Sequence, residues 1–370
     1  MAGELAPVRP GRRGQAVLRY ILGMLIGFVV LWLLFGKRGE LAAAWRQITT
    51  ADPGWVALAA LAESLSLLAF AWLQHRVLRL SGTAIPMPGL FALALANDAI
   101  ASTVPGEPAV SSAYRYRYYR RRGASGASAG WTIFTTLIAL AMGMSLILLL
   151  GVVIALAGST SMTDAGVTIV GLVIVVGAGA VLVRRDLVLG LAGAATRGLR
   201  RVTGHPRGAL GARVEGTLAR MREIPLSRRS TTEVVAIAAA VWFADFLCLV
   251  CSFHAVHSVV PWHGVLLAYG VAQVVGSFPV VPGGLGLIEG SLAVVLVAYG
   301  AGHVPAVSAV LAFRILNFWL PIAAGWISVA LIARHLRRRD RGAQDQIKAG
   351  ERSRPGGLPP DGPASVPAGD

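Results

Sequence analysis

Long apolar runs alternate along this chain with short polar or basic segments. Six of the runs are close to or longer than the roughly 20 helical residues needed to cross the hydrocarbon core of a bilayer. They lie at about 17–35, 55–74, 127–156, 167–183, 234–253 and 304–333. The pattern predicts a membrane-spanning helix in each run. Two further apolar segments behave differently, because 90–104 ends at a Pro-Gly pair and 263–300 contains one.

The two Pro-Gly breaks are related to each other. The second reads Pro-Gly-Gly-Leu-Gly-Leu-Ile-Glu over 282–289, and the first reads Pro-Gly-Glu-Pro over 105–108. The two Pro-Gly pairs are 177 residues apart, and the same offset relates Gly123-Ala124 to Gly300-Ala301. Interrupted hydrophobic segments at corresponding places in two halves of a chain point to a transporter binding site.

Composition indicates an integral membrane protein. Hydrophobic residues make up 55% of the chain and charged residues 14%, whereas soluble proteins have about 25% charged residues. The net charge of +16 collects in connecting segments and tails, a distribution that membrane insertion explains better than nucleic-acid binding does. Cys248 and Cys251 are the only cysteines, and their apolar surroundings favour packing over redox or metal chemistry.

Positive charge sets the predicted orientation, because Lys and Arg are enriched on the cytoplasmic side. The first broken segment is flanked by Arg76 with Arg79 and by the Tyr/Arg run 115–122, so it should enter and leave from the cytoplasm. The second is flanked by 255–263 and 301–304, which lack Lys and Arg, so it should enter and leave from outside. The prediction is an all-α polytopic protein with about six spanning helices, two re-entrant hairpins in an inverted-topology repeat, and both termini in the cytoplasm.

The same pattern divides the chain into segments. They are a basic cytoplasmic N-terminus (1–16), a first membrane repeat with the start of the second (17–183), a basic cytoplasmic connector (184–229), the rest of the second repeat (230–333) and a disordered cytoplasmic tail (334–370). The connector either forms amphipathic helices on the inner leaflet or is a solvated loop. The polar segment 36–53 is predicted to be an external loop. The expected location is the cell membrane.

Ionisable residues at membrane depth are candidates for function. They are Glu63, Asp98, Glu107, Asp245, Glu289 and Arg314. A water-filled cavity between the two halves would accommodate them, although each could instead be a structural ion-pair partner. The planar fork of Arg314 suits two oxygens of a lipid phosphate. Glu289 or Asp245 could neutralise Arg314 when the site is empty, or carry a coupling proton.

The glycine-rich break is the second candidate site. Gly283, Gly284 and Gly286 can take positive φ and let a headgroup approach the backbone, next to a Pro282 that has no amide hydrogen. A half-helix starting near Leu285 would direct free N–H groups at the break, which favours an anion. The alternative is close helix packing through the small residues at positions 286 and 290.

These residues resemble a known family. The Pro-Gly-Gly-x-Gly-x-x-Glu stretch at 282–289, supported by Arg314, resembles the flippase-like membrane domain of the lysylphosphatidylglycerol synthetases. The resemblance covers about 15–335 and implies movement of a lipid between leaflets. It does not extend to aminoacyl transfer, because only a short polar tail follows residue 333. The first break departs from the pattern, since Glu107 and Pro108 stand where a glycine-rich turn is expected.

The expected function is therefore a membrane lipid translocator for a phospholipid or a polyprenyl-phosphate-linked lipid. The predicted headgroup site consists of Pro105, Gly106, Glu107, Pro282, Gly283, Gly284, Gly286, Glu289 and Arg314, with Glu63, Asp98 and Asp245 as buried or coupling charges. No catalytic residue, cofactor, metal or nucleic acid is expected. The alternative is a non-catalytic membrane partner or anchor for a lipid-modifying or cell-envelope enzyme. An intramembrane enzyme is a weaker hypothesis, because no metal or nucleophile motif is recognisable.

Overall fold

The computed structural model describes residues 38–103, 107–158, 227–277, 282–332 and 334. Several predictions fall on other parts of the chain. The spanning helices at 17–35 and 167–183, the Pro105-Gly106 pair, most of the basic connector and nearly all of the tail lie outside the described residues.

The described residues form helices and no strands, which confirms the all-α prediction. In chain order the helices are α1 Arg38–Thr49, α2 Pro53–Leu80, α3 Met87–Thr103, α4 Glu107–Arg121, α5 Gly126–Gly158, α6 Arg228–Ala255, α7 Val265–Gly276, α8 Leu287–Ala298 and α9 His303–Arg314. A π-helical turn, Ile315–Trp319, extends α9, and the helix then continues to Ile332.

Four of these helices are long and apolar enough to cross a membrane. They are α2, α5, α6 and α9 with its extension, and each matches a predicted spanning run. At the start of α2, Asp52 accepts hydrogen bonds from the amides of Gly54 and Trp55 and so caps the helix. At its other end α2 reaches Leu80, beyond the predicted boundary, and Arg76 in this last part forms an ion pair of 2.6 Å with Glu233 of α6.

The two broken segments form helical pairs, α3 with α4 and α7 with α8, and the helices of each pair pack on each other. The α7 and α8 helices have 12 residues each, which gives a length of about 18 Å against a hydrocarbon core of about 30 Å. The described residues thus repeat one order twice: long helix, short pair, long helix. This order agrees with the predicted repeat, whose inverted orientation stays a prediction.

The Tyr/Arg run forms helix α4, and two of its tyrosines are buried. Tyr119 donates a hydrogen bond of 2.5 Å to Oε1 of the buried Gln74 on α2. Tyr118 donates one of 2.9 Å to the carbonyl of Gly89 on α3. Burial raises the pKa of Tyr119 well above its ordinary value. Tyr118 and Tyr119 therefore face the protein, while Arg117, Arg120 and Arg121 are exposed.

Two other features position the site. At Gly143, α5 approaches α6 so closely that a Cβ would lie 2.7 Å from the carbonyl carbon of Ala238, a typical small-residue contact between membrane helices. The segment predicted as an external loop instead contains helix α1, which packs on α9. Ser308 of α9 donates a 2.5 Å hydrogen bond to Gln47 of α1. The charged residues of this segment led to its prediction as a loop, although its alanine-rich centre favours a helix.

Candidate functional site

A polar cavity of about 290 Å³ lies among α2, α3, α6, α7, α9 and the glycine-rich turn. Its polar lining includes Glu63, Asp98, Asp245, Gln273, Arg314 and Asn317. Four of the ionisable residues singled out in the sequence are therefore brought together at one place, although they come from four different helices. The backbone of Gly283 lines the same cavity.

The glycine-rich turn has the backbone conformation that its sequence predicts. Gly283, Gly284 and Gly286 have φ values of 64°, 62° and 79°, a region that residues with a Cβ rarely adopt. A Cβ on Gly283 would also press on the ring of Phe318 and would lie 3.2 Å from the carbonyl oxygen of Ser102 near the end of α3. The second break therefore lies directly against the helix that leads into the first break.

Arg314 and Glu289 form an ion pair at the side of this turn. Nε of Arg314 donates to Oε1 of Glu289 at 2.5 Å, and their side chains are 5% and 12% exposed. The other carboxylate oxygen of Glu289 accepts a 2.7 Å hydrogen bond from the amide of Gly286, at the N-terminus of α8. Glu289 thus both neutralises Arg314 and caps α8. The helix begins at Leu287 rather than near Leu285, and its N-terminal amide holds this carboxylate.

Two further contacts fix the guanidinium group of Arg314. Its Nη2 donates to the carbonyl oxygen of Gly283 at 3.1 Å. Its Cζ lies 4.1 Å from the centre of the Phe318 ring, a cation–π distance. Arg314 is the last residue before the π-helical turn and Phe318 lies within that turn. Such turns are frequent at functional sites because they redirect side chains.

Asp245 is the centre of a second polar cluster. Its carboxylate accepts hydrogen bonds from Tyr269 at 2.6 Å, from Gln273 at 2.9 Å and from Asn317 at 2.5 Å. Nδ2 of Asn317 also lies 3.4 Å from Oε2 of Glu63. The side-chain amide of Asn317 therefore contacts both carboxyl groups, which line the same cavity. Both residues are buried, with exposures of 6% and 4%.

Sequence reasoning anticipated part of this arrangement. Of the two partners considered for Arg314, Glu289 makes the hydrogen bond. Gln273 and Asn317 are polar residues within apolar segments and are visible as such in the sequence. Tyr269 and Phe318 were missed because aromatic residues in apolar helices are usually packing residues. One signal was present: Tyr269 and Gln273 are four residues apart and so lie on one helical face.

Some predicted site residues stay untested. Pro105 and Gly106 lie outside the described residues, and Glu107 is described only as the first residue of α4. Pro282, Gly284 and Gly286 shape the turn that presents the carbonyl of Gly283.

Comparison with known families identifies the family of this chain. The sequence profile of the lysylphosphatidylglycerol synthase TM region matches residues 20–325. The chain belongs to this family. The lysylphosphatidylglycerol synthase TM match contains every residue of the cavity, the glycine-rich turn and both hairpins. It confirms the resemblance deduced from the motif at 282–289. A sequence search of curated proteins found no match.

Proposed function

We propose that this protein moves a phosphate-bearing lipid between the two leaflets of a cell membrane. The observation that carries the proposal is Arg314: a buried cation, held at the wall of a polar cavity, between two broken helical segments. A positive charge at membrane depth is costly and marks a substrate or ion pathway. The lipid is a phospholipid or a polyprenyl-phosphate-linked lipid, and the family name, which refers to a phospholipid product, is in keeping with a lipid of this class.

Phosphate binding works as an exchange of partners. In the empty state Glu289 neutralises Arg314, so no uncompensated charge is buried. An entering phosphate offers two oxygens to the guanidinium fork and displaces the Glu289 carboxylate. Glu289 keeps its hydrogen bond to the amide of Gly286, so α8 stays capped during the exchange. The ring of Phe318 keeps the guanidinium plane oriented.

The size of the cavity indicates which part of the lipid enters it. A volume of about 290 Å³ is at the small end of ligand pockets, enough for a headgroup but not for two acyl chains. The chains would remain in the bilayer beside the apolar outer faces of the long helices, where Leu61, Leu65 and Leu68 of α2 are exposed. Only the polar headgroup then needs a protein path through the hydrocarbon.

Access to the site from both sides would come from movement of the hairpins. The helices of the two pairs have 12 to 17 residues each, fewer than the roughly 20 of a typical spanning helix, and the pairs meet at Ser102 and Gly283. Separation at this contact would open the cavity toward one side, and closure would allow opening toward the other. No chemical step on the lipid is part of this proposal. The orientation that goes with it has the α3–α4 hairpin and both termini on the cytoplasmic side.

The test is headgroup exchange between leaflets in liposomes that contain the purified protein. Fluorescent phospholipid and polyprenyl-phosphate probes are followed for the native protein, for Arg314→Gln and for Glu233→Gln. The last variant removes a charge from α6 outside the cavity and is the matched control. Native protein and control should accelerate exchange, and Arg314→Gln should lose most of the acceleration.

Equal exchange by Arg314→Gln would contradict the phosphate site. No exchange of any probe by folded native protein would contradict translocation itself and favour the alternative of a membrane partner for an envelope enzyme. In that case deletion of residues 334–370 would abolish function while changes in the glycine-rich turn would not.

A further inference from the structure

The carboxyl groups of Glu63 and Asp245 do not bind the headgroup in the site described above. Glu63 comes from α2 and Asp245 from α6, and these two long helices pack along each other. Both side chains are more than nine-tenths buried and both line the cavity that contains Arg314. Their position at the junction of two spanning helices raises the question of what keeps two acids together.

Both carboxyl groups are buried and contact the same amide group of Asn317, so two carboxylates there would repel each other and the pair is least costly to bury when one of them holds a proton. The surrounding contacts identify the ionised member. Asp245 accepts hydrogen bonds from a tyrosine hydroxyl and two side-chain amides, which are donors that stabilise a carboxylate. Glu63 has only the longer contact with Asn317 and is therefore the protonated acid. The pair as a whole holds one proton.

Loss of this proton would be opposed by the other acidic groups nearby. Asp98 of α3 lines the same cavity and is a third acid close to Glu63. Tyr269 of α7 and Cys248 of α6 are neutral neighbours whose own ionisation would add negative charge. The nearby cation, Arg314 of α9, is already paired with Glu289 of α8. Two adjacent carboxylates would therefore repel each other without compensation, and the least costly response is to move apart.

The π-helical turn of α9 would be displaced if the two carboxyl groups separated. Nδ2 of Asn317, in the middle of the turn, lies within reach of both carboxyl groups. The same turn is preceded by Arg314 and contains Phe318, which hold the proposed phosphate site. One proton at Glu63 and Asp245 thus connects α2 and α6 to the part of α9 that binds the headgroup.

We propose that Glu63 and Asp245 form a proton-binding site that holds one shared proton in this conformation and releases it when α2, α6 and the turn of α9 separate, so that lipid movement is linked to proton movement. The linkage rests on the proposed function. A phosphate lipid moved in one direction would be exchanged for, or accompanied by, one proton drawn from the aqueous phase on one side and released to the other. No oxidant, nucleotide or metal is needed.

The shared proton is tested by infrared spectroscopy of purified protein at neutral pH. A protonated carboxyl group has a C=O band that a carboxylate lacks. Because Glu63 holds the proton and Asp245 is ionised, Glu63→Gln should remove the band. Asp245→Asn should keep the band but shift its frequency, because the carboxylate next to Glu63 is gone. Glu233→Gln should change neither intensity nor frequency. A band that Glu63→Gln leaves in place, or a frequency that Asp245→Asn leaves unchanged, would overturn the shared site.

The linkage is tested in liposomes with a pH difference of one unit across the bilayer. For one proton per lipid, the steady-state ratio of labelled phosphate lipid in the two leaflets should shift by about tenfold in native protein and in Glu233→Gln. The ratio should not shift in Glu63→Gln, whose amide can still donate to Asp245 and so keeps the fold. If the leaflet ratio shifts equally in Glu63→Gln and in native protein, or if it does not respond to the pH difference in either, the linkage is contradicted but the proposed function is not. Absence of any exchange contradicts the proposed function as well.

Discussion

Replacing Glu289 alone should lower the free energy of unfolding far more than replacing both Glu289 and Arg314. In Glu289→Met the guanidinium of Arg314 keeps its buried position but loses the carboxylate at 2.5 Å. Breaking a buried pair from one side typically costs about 3–5 kcal/mol, because an uncompensated charge remains. Loss of the hydrogen bond to the amide of Gly286 adds about 1 kcal/mol. With side chains only 5% and 12% exposed, solvent gives little relief.

The double variant Glu289→Met with Arg314→Met leaves two unbranched apolar side chains and no buried charge. Its cost should be about 1–2 kcal/mol, mainly from the lost cap and from packing. Arg314→Met alone leaves the Glu289 carboxylate buried and should also cost about 3–5 kcal/mol. The two single changes and the double change therefore form a cycle with a coupling energy of about 5 kcal/mol or more. Denaturant titration of the four proteins in detergent micelles, followed by tryptophan fluorescence, measures each free energy of unfolding.

The partly exposed pair of Arg76 and Glu233 is the matched control for this cycle. The same cycle there should show a coupling too small to resolve, because exposed ion pairs contribute little. The reasoning is refuted if the double variant at Glu289 and Arg314 loses as much stability as the two single variants added together. That result would mean that solvent or other side chains already neutralise each charge.

Two further changes have defined outcomes. Gly283→Ala should lower the free energy of unfolding by at least about 1 kcal/mol because of the positive φ, and should slow lipid exchange because its Cβ presses on Phe318. Gly300→Ala, at φ 90° in open space, should show a similar loss in unfolding titrations but no slower exchange. Tyr119→Phe should destabilise the protein by about 1–3 kcal/mol in the same titrations because buried Gln74 loses its partner, and unchanged stability would contradict the hydrogen bond as drawn.

Much of the architecture follows from local sequence. Apolar runs of spanning length predict α2, α5, α6 and α9, because a helix satisfies every backbone group inside a bilayer. The glycines at 283, 284 and 286 predict a turn with positive φ, and the structure has it. The depth of Arg314, Glu63 and Asp245 in apolar runs marks them as candidates before any contact is known.

The partnerships within the site could not be predicted in the same way. Glu63 and Asp245 are separated by 182 positions in the chain, so their contact depends on how α2 packs on α6. Asn317 reaches both acids from a π-helical turn, and no residue pattern in that segment signals such a turn. The role of Glu289 as both cap and ion-pair partner depends on where α8 begins, two residues later than the pattern suggested.

The central claim is that a phosphate headgroup crosses the membrane through the cavity beside Arg314. Its most direct test compares two fluorescent lipids with identical acyl chains in proteoliposomes, one with a phosphate headgroup and one with a neutral sugar headgroup. The initial rate at which each reaches the opposite leaflet is measured with and without native protein. The account predicts that the protein accelerates the phosphate lipid and leaves the neutral lipid near its protein-free rate. Equal acceleration of both lipids, or of neither, would contradict it.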